Sequence, residues 1–175
     1  MTEPLPGMES VPLVPPAEPI EGDSHRHLIE PLQQLGRELG YRVEIRQLPD
    51  EGPGGWCDPK HRQIVAASGP ANRQVRTLVH ELAHALGLGY AQYGRDRAEV
   101  LVDCVTYVVC SSVGLNVGGE SIPYIASWGE DGALDAIREY AETIDTIARR
   151  IEDALHRAPD TPPVGDAIAV ENMAA

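Results

Sequence analysis

The run His80-Glu81-Leu82-Ala83-His84, inside the stretch TLVHELAHALGLG from Thr77 to Gly89, sets two imidazoles and a carboxylate at a spacing that suits hydrolytic chemistry. On a helix four residues advance by about 400°, so His80 and His84 stand one above the other, about 40° apart, and can aim at one ion. Glu81 sits about 100° round from His80. Two neutral histidines bind Zn²⁺ at about 2.0–2.1 Å, and the carboxylate beside them can take a proton from a zinc-activated water. Val75, Leu78, Val79, Leu82 and Leu86 fall broadly on the opposite face, so packing and ligation do not compete for positions. The plainer reading is two surface histidines on an amphipathic helix, and a third ligand is needed to choose between the two.

The stretch Arg97 to Cys110, RAEVLVDCVTYVVC, supplies a candidate. Ten of its fourteen residues are apolar, and its acids, Glu99 and Asp103, are spaced i,i+4 on one helical face. A helix this apolar is expected to be buried, and a buried carboxylate without a partner is costly or shifts its pKa until it is neutral. A divalent cation held by His80 and His84 compensates both acids if one is the third ligand and the other holds a histidine by its free ring N–H. The competing reading puts both on a solvent-facing stripe, paired with Arg95 or Arg97.

These two segments must be positioned by a single body. A chain of 175 residues suits one domain with tails. Residues 1–22 hold six prolines with acids between them and read as a disordered arm, 23–157 as the folded domain, and 158–175 as a disordered tail. Helical spacing runs from His27 to Leu39, with Gly40 as the stop. Tyr41 to Arg46, Trp56-Cys57 and Gln63 to Ala67 read as a short sheet of about three strands, with a turn at Asp58-Pro59-Lys60. The helix carrying His80 opens after Ser68-Gly69-Pro70, and a third helix spans about Asp96 to Val113. Gly114 to Gly119 reads as a loop, followed by a turn or short helix from Pro123 to Trp128. A long last helix covers about Asp131 to His156, its apolar stripe Leu134, Ile137, Ala141, Ile144, Ala148, Ile151 and Leu155 packing on the body or on a second copy. The fold class expected is α+β.

Composition excludes several function classes. Fourteen Lys+Arg face 27 Asp+Glu, for a formal charge of -13 and a pI near 4.7, a field that repels nucleic-acid phosphates and anionic lipid. No basic patch offsets it, so neither nucleic acid nor membrane is expected as a partner. No apolar run approaches a membrane span and the amino terminus MTEPLPGMES lacks a secretory pattern, which reads as cytoplasmic. Three cysteines, Cys57, Cys104 and Cys110, form no CxxC pair, in keeping with a reducing compartment and against a thiolate zinc site.

HELAH, followed after 14 intervening residues by Glu-x-x-x-Asp, resembles the zincin metallopeptidases of the glutamate-ligand type. The surrounding pattern is most similar to the ImmA/IrrE-like and ArdC-like metallopeptidase domains, over about Tyr41 to Trp128. The resemblance implies a zincin-like minimal metallopeptidase fold and one Zn²⁺. It implies His80, His84 and Glu99 as zinc ligands, Glu81 as general base, and Asp103 as partner of a ligand histidine, or as the ligand in place of Glu99 if the helix is rotated by a turn. The implied activity is a zinc-dependent endopeptidase acting on a protein substrate, such as a regulatory protein. The alternative is a zinc-containing regulatory or binding module without turnover, and a third reading is a metal-free helical interaction protein.

No single-strand-DNA-binding domain is legible ahead of the motif, unlike the ArdC-like arrangement, so an antirestriction role on DNA is not expected. The oxyanion donor that such chemistry requires is sought among Tyr90, Tyr93, Tyr107, Tyr124 and His61; Tyr124, in IPYIASW after a glycine-rich loop, is favoured. Cys57 reads as a half-buried packing residue more readily than as a thiolate capping the zinc. Self-association is expected, if at all, through the last helix.

Overall fold

A computed structural model describes residues 20–49, 51–119 and 132–157. A 3₁₀ turn at Arg26–Leu28 leads into α1 (Ile29–Glu38), which Gly40 ends at φ 82°, a left-handed conformation that glycine adopts at little cost. Three strands follow, β1 (Arg42–Arg46), β2 (Gly55–Asp58) and β3 (Gln63–Ala67), in the spatial order β1-β3-β2. β3 pairs parallel with β1, Arg42 opposite Gln63, and antiparallel with β2, Trp56 opposite Val65. The molecule is therefore α+β with a mixed three-stranded sheet.

α2 (Ala71–Ala85) carries the His80–His84 run, and α3 (Tyr90–Tyr93) is one turn between Gly89 and Gly94. α4 (Arg95–Ser112) carries the two acids, and α5 (Gly132–His156) closes the body. Four residues are too few to show a hydrophobic period, which is why the spacing did not predict α3.

Ile64 and Ala66 of β3, Leu78 and Leu82 of α2, Leu101 of α4 and Ile151 of α5 are wholly buried in one core with Leu32 and Leu35 of α1. Leu82 thus packs inward while its neighbours Glu81 and His80 face the other way, as the two-faced reading of the helix requires. The start of α2 is fixed by the segment before α1: the Asp23 Oδ1 carboxylate accepts from Ala71 N–H at 2.8 Å, and Asn72 N–H donates to Gly22 O at 3.0 Å. Asp23 supplies the side-chain cap that Pro70, at the N-cap position, cannot. Ile20 is buried and Glu21 pairs with Arg73 at 2.8 Å. The packed body therefore begins before residue 23, because these residues cover an otherwise open helix end.

The apolar face of α5 is covered by α4 and α1 of the same chain. Ile144, Ile147, Ala148, Ile151 and Ala154 form the buried stripe, whereas Ala141 is exposed. The side chains of Leu134 and Ile137, the segment from Pro123 to Trp128 with Tyr124, and residues 1–19 and 158–175 lie outside the described residues. Among the described residues, no helix is long and apolar enough to cross a membrane.

Candidate metal centre

α2 and α4 meet in antiparallel sense and form a ladder of polar contacts inside an otherwise apolar interface. His84, near the end of α2, faces Glu99 near the start of α4, with Nε2 to Oε1 at 3.8 Å. One turn back, His80 lies between both acids, its Nε2 3.3 Å from Glu99 Oε2 and its Nδ1 3.2 Å from Asp103 Oδ1. The latter contact lacks the alignment of a full hydrogen bond. One further turn back, Arg76 Nη2 donates to the same Asp103 Oδ1 at 3.1 Å. The i,i+4 spacing on both helices makes this possible, since each step of four returns to the same face.

Among the described residues, His80, His84 and Glu99 each offer a donor atom, and these atoms lie within 4.8 Å of one another. A tetrahedral ion with bonds of about 2.0–2.1 Å sets its ligand atoms about 3.3 Å apart. His80 Nε2 is 3.3 Å from Glu99 Oε2 and His84 Nε2 is 3.8 Å from Glu99 Oε1, so each ring faces a different carboxylate oxygen and a shared ion requires the three donors to close from within 4.8 Å. The ring nitrogens are also prepared for the task. His84 Nδ1 lies 2.7 Å from the Leu88 carbonyl, so Nδ1 holds the proton and the lone pair of Nε2 faces Glu99. Burial holds His84 below its ordinary pKa, which keeps the ring neutral.

Burial also opposes a charge on His80, but Asp103 and then Glu99 outweigh it and push the pKa up to about 9. Burial disfavours the Glu99 carboxylate as well, yet contacts to His80 and Tyr90 bring it down to about 2. Without a metal, His80 therefore holds a proton between two carboxylates, placing positive charge where a cation would otherwise sit. The donor set fits zinc: two imidazoles, one carboxylate, and a side left open to a cavity.

That cavity, of about 510 Å³, is walled by Pro53 to Cys57 and Pro59 on one side and by Arg76, Thr77, His80, Glu81 and His84 on the other, with Gly89, Tyr90, Arg95 and Glu99 at its end. Glu81 is buried at its wall, with the β2 backbone at Gly55 packed close to its carboxylate. Burial pushes Glu81 up to about 7, against the pull of protonated His80. A carboxyl group near neutrality both accepts and returns a proton readily.

The strand reaches Glu81 only because residue 55 is glycine. A Cβ there would lie 2.5 Å from Thr77 Cγ2, 2.6 Å from the Val65 carbonyl and 3.3 Å from Glu81 Oε1. Tyr90 donates its hydroxyl to Glu99 Oε1, sets its ring edge-on to His84 at 5.2 Å, and has the Arg95 guanidinium 5.9 Å from its ring centre.

The structure thus brings together His80, Glu81, His84, Glu99 and Asp103, with Glu99 toward the open side and Asp103 behind His80. The solvent-stripe reading of the acids does not hold: Asp103 is 3% exposed and meets Arg76 rather than Arg95 or Arg97, and Arg97 instead donates to Tyr140. Cys57 lines the cavity, but burial and then the Glu81 charge push its thiol up to about 12, which keeps it protonated. Of the tyrosines weighed as oxyanion donors, Tyr90 lines the cavity, Tyr93 stacks edge-on to Tyr140 and Tyr107 is exposed; Tyr124 lies outside the described residues. His61 is on the exposed turn with Asp58. Arg76 and Gly55 carried no signal in the sequence, because their roles depend on a neighbouring helix and strand. Compared with known proteins, the chain matches no family model, no curated protein and no solved structure.

Proposed function

We propose that this protein is a zinc-dependent endopeptidase of zincin-like architecture, with His80, His84 and Glu99 holding the ion and Glu81 as general base. The observation that carries the reading is the convergence of those three donors, from two helices, beside a cavity whose wall presents a buried carboxylate of raised pKa. Zinc held there would polarise a peptide carbonyl and lower the pKa of a water.

The residues of the chain divide the remaining work. β2 ends the sheet and Gly54 to Cys57 line the cavity, so an extended peptide has strand backbone to lie along. Glu81, buried at the cavity wall, takes a proton from water as the water oxygen bonds to the carbonyl carbon. It then gives that proton to the amide nitrogen as the C–N bond breaks, and the second water proton follows to the amine, leaving a carboxylate and a protonated amine. Tyr90 is the cavity-lining tyrosine among the described residues, and its hydroxyl proton, which goes to Glu99 in this structure, would be free for the oxyanion once zinc takes up the Glu99 carboxylate. His84, fixed by Leu88 O, and His80, backed by Asp103, keep their Nε2 atoms turned to the common point.

Metal content and peptide cleavage test the two halves separately. Purified protein should take up one zinc, and His80→Ala with His84→Ala should lose it; retention in that double variant ends the proposal. A randomised peptide library read by mass spectrometry should show cleavage by the zinc-loaded protein, and Glu81→Gln should keep zinc while cleavage disappears. A protein that holds zinc and cleaves nothing would be the regulatory module without turnover.

A further inference from the structure

We propose that Arg76 is a positioning residue of the metal centre: by pairing with Asp103 it keeps that carboxylate off the metal as the acceptor behind His80, and so leaves Glu99 as the ligand. The inference rests on the zinc-binding half of the proposed function and names a residue that reading does not use.

Asp103 and Glu99 are both acids on one face of α4, and both lie within 3.3 Å of a ring nitrogen of His80. What separates their roles is the second partner of each. Glu99 shares its outer oxygen with Tyr90, a neutral donor at the cavity's end. Asp103 instead directs a single oxygen, Oδ1, at both Arg76 Nη2 at 3.1 Å and His80 Nδ1 at 3.2 Å. An ionised carboxylate bound to a guanidinium is held more firmly than one bound to a neutral hydroxyl. It is also a poorer candidate to leave that partner for an ion on the far side of the imidazole.

The burial of the pair sharpens the point. The Asp103 and Arg76 side chains are 5% and 19% exposed, so removing the guanidinium leaves a buried carboxylate with His80 as its remaining described partner rather than a solvated one. Without Arg76, Asp103 loses its guanidinium partner from α2 and becomes a competitor for the ion. Its side chain is one methylene shorter than that of Glu99, so ligation by Asp103 would draw α4 toward α2 or turn His80 aside.

The test compares Arg76→Met, Asp103→Asn and the double variant with the full-length wild type. Zinc affinity is read by competition with a chromophoric chelator, and coordination by the visible spectrum after cobalt substitution. Arg76→Met should weaken zinc about 10- to 100-fold, the range of partners that act through a ligand, and should change the cobalt spectrum. The double variant should bind zinc no more weakly than Asp103→Asn alone, since Arg76 acts through that carboxylate. Arg76→Lys, which keeps the charge and loses the fork, should recover part of the affinity and gives the comparison if Arg76→Met does not fold.

Wild-type affinity and cobalt spectrum in the Arg76 variants would overturn the proposal, as would losses that add in the double variant. A purely structural ion pair would lower the melting temperature of the metal-free variants and leave the cobalt spectrum of the loaded protein unchanged. A wild type that takes up no zinc would overturn the metal centre itself, an outcome distinct from a loaded wild type whose affinity ignores Arg76.

Discussion

At one end of the α2–α4 contact His84 and Glu99 face a cavity, and at the other Arg76, also on the cavity wall, pairs with Asp103, which does not line it, with His80 between the two ends. Both ends use acids from the same face of α4, yet they serve different purposes. At the open end His84 is kept neutral and its lone pair is free, while Glu99 is held ionised at about 2 with a hydroxyl as its outer partner. At the other end charge meets charge, and Asp103 does not line the cavity. On the proposed reading, which acid would bind and which would support depends on the residue opposite, not on the spacing along α4.

The largest effect should come from the open end. Glu99→Ala removes a donor atom and should weaken zinc by more than about 100-fold, beyond the range of an outer partner; a smaller loss, by chelator competition, would mean that Asp103 or water substitutes without penalty. Asp103→Asn keeps the size and the acceptor but removes the charge, and should weaken zinc about 10- to 100-fold. Equal losses in these two variants would erase the distinction between the two ends.

A contact across the cavity comes next. Gly55→Ala forces a methyl group against Thr77 and the Val65 carbonyl, and overpacking of that kind costs about 1–3 kcal/mol. Urea melts measure it, and an unchanged midpoint would show that β2 can retreat from α2. Because the methyl also approaches Glu81, cleavage should fall in this variant while zinc is retained.

The smallest effect is on pH. Without metal, the raised pKa values of Glu81 (about 7, ordinarily 4.5) and His80 (about 9, ordinarily 6.5) make the folded chain bind more protons than the unfolded one across these ranges. Stability from Glu81 is then present below pH 4.5 and lost as pH rises through about 7; that from His80 is present below 6.5 and lost through about 9. Glu99 has the opposite sign, its contribution being present above 4.5 and lost as pH falls through about 2. The melting temperature of the metal-free protein should thus decline from about pH 5 to 9, and zinc affinity should rise over the alkaline part, because the ion displaces the His80 proton. A flat melting profile would mean that His80 is not charged between the two acids.

Much of this arrangement is legible in the residue order because helices repeat locally. The i,i+4 histidines, the inward Val75, Leu78, Val79 and Leu82, and the two acids of the apolar α4 follow from a period of about 3.6 residues. The strands likewise follow alternation and turn residues. Where the reading departs from the structure, local pattern is a poor guide: Ile20 to Gly22 look like part of a proline-rich arm, yet they pack on or bond to the start of α2.

The sequence by itself determined which side chains could meet on each helix face, since that depends only on spacing along one element. Tertiary structure decided which faces met and in what sense. The antiparallel crossing of α2 and α4 set Arg76 against Asp103 and left Glu99 at the cavity. The β2 strand, admitted by Gly55, was brought against Thr77 and Glu81. Contacts of this kind join residues 20 or more positions apart, and their geometry comes from how the core packs, a property of the whole chain that no local period encodes.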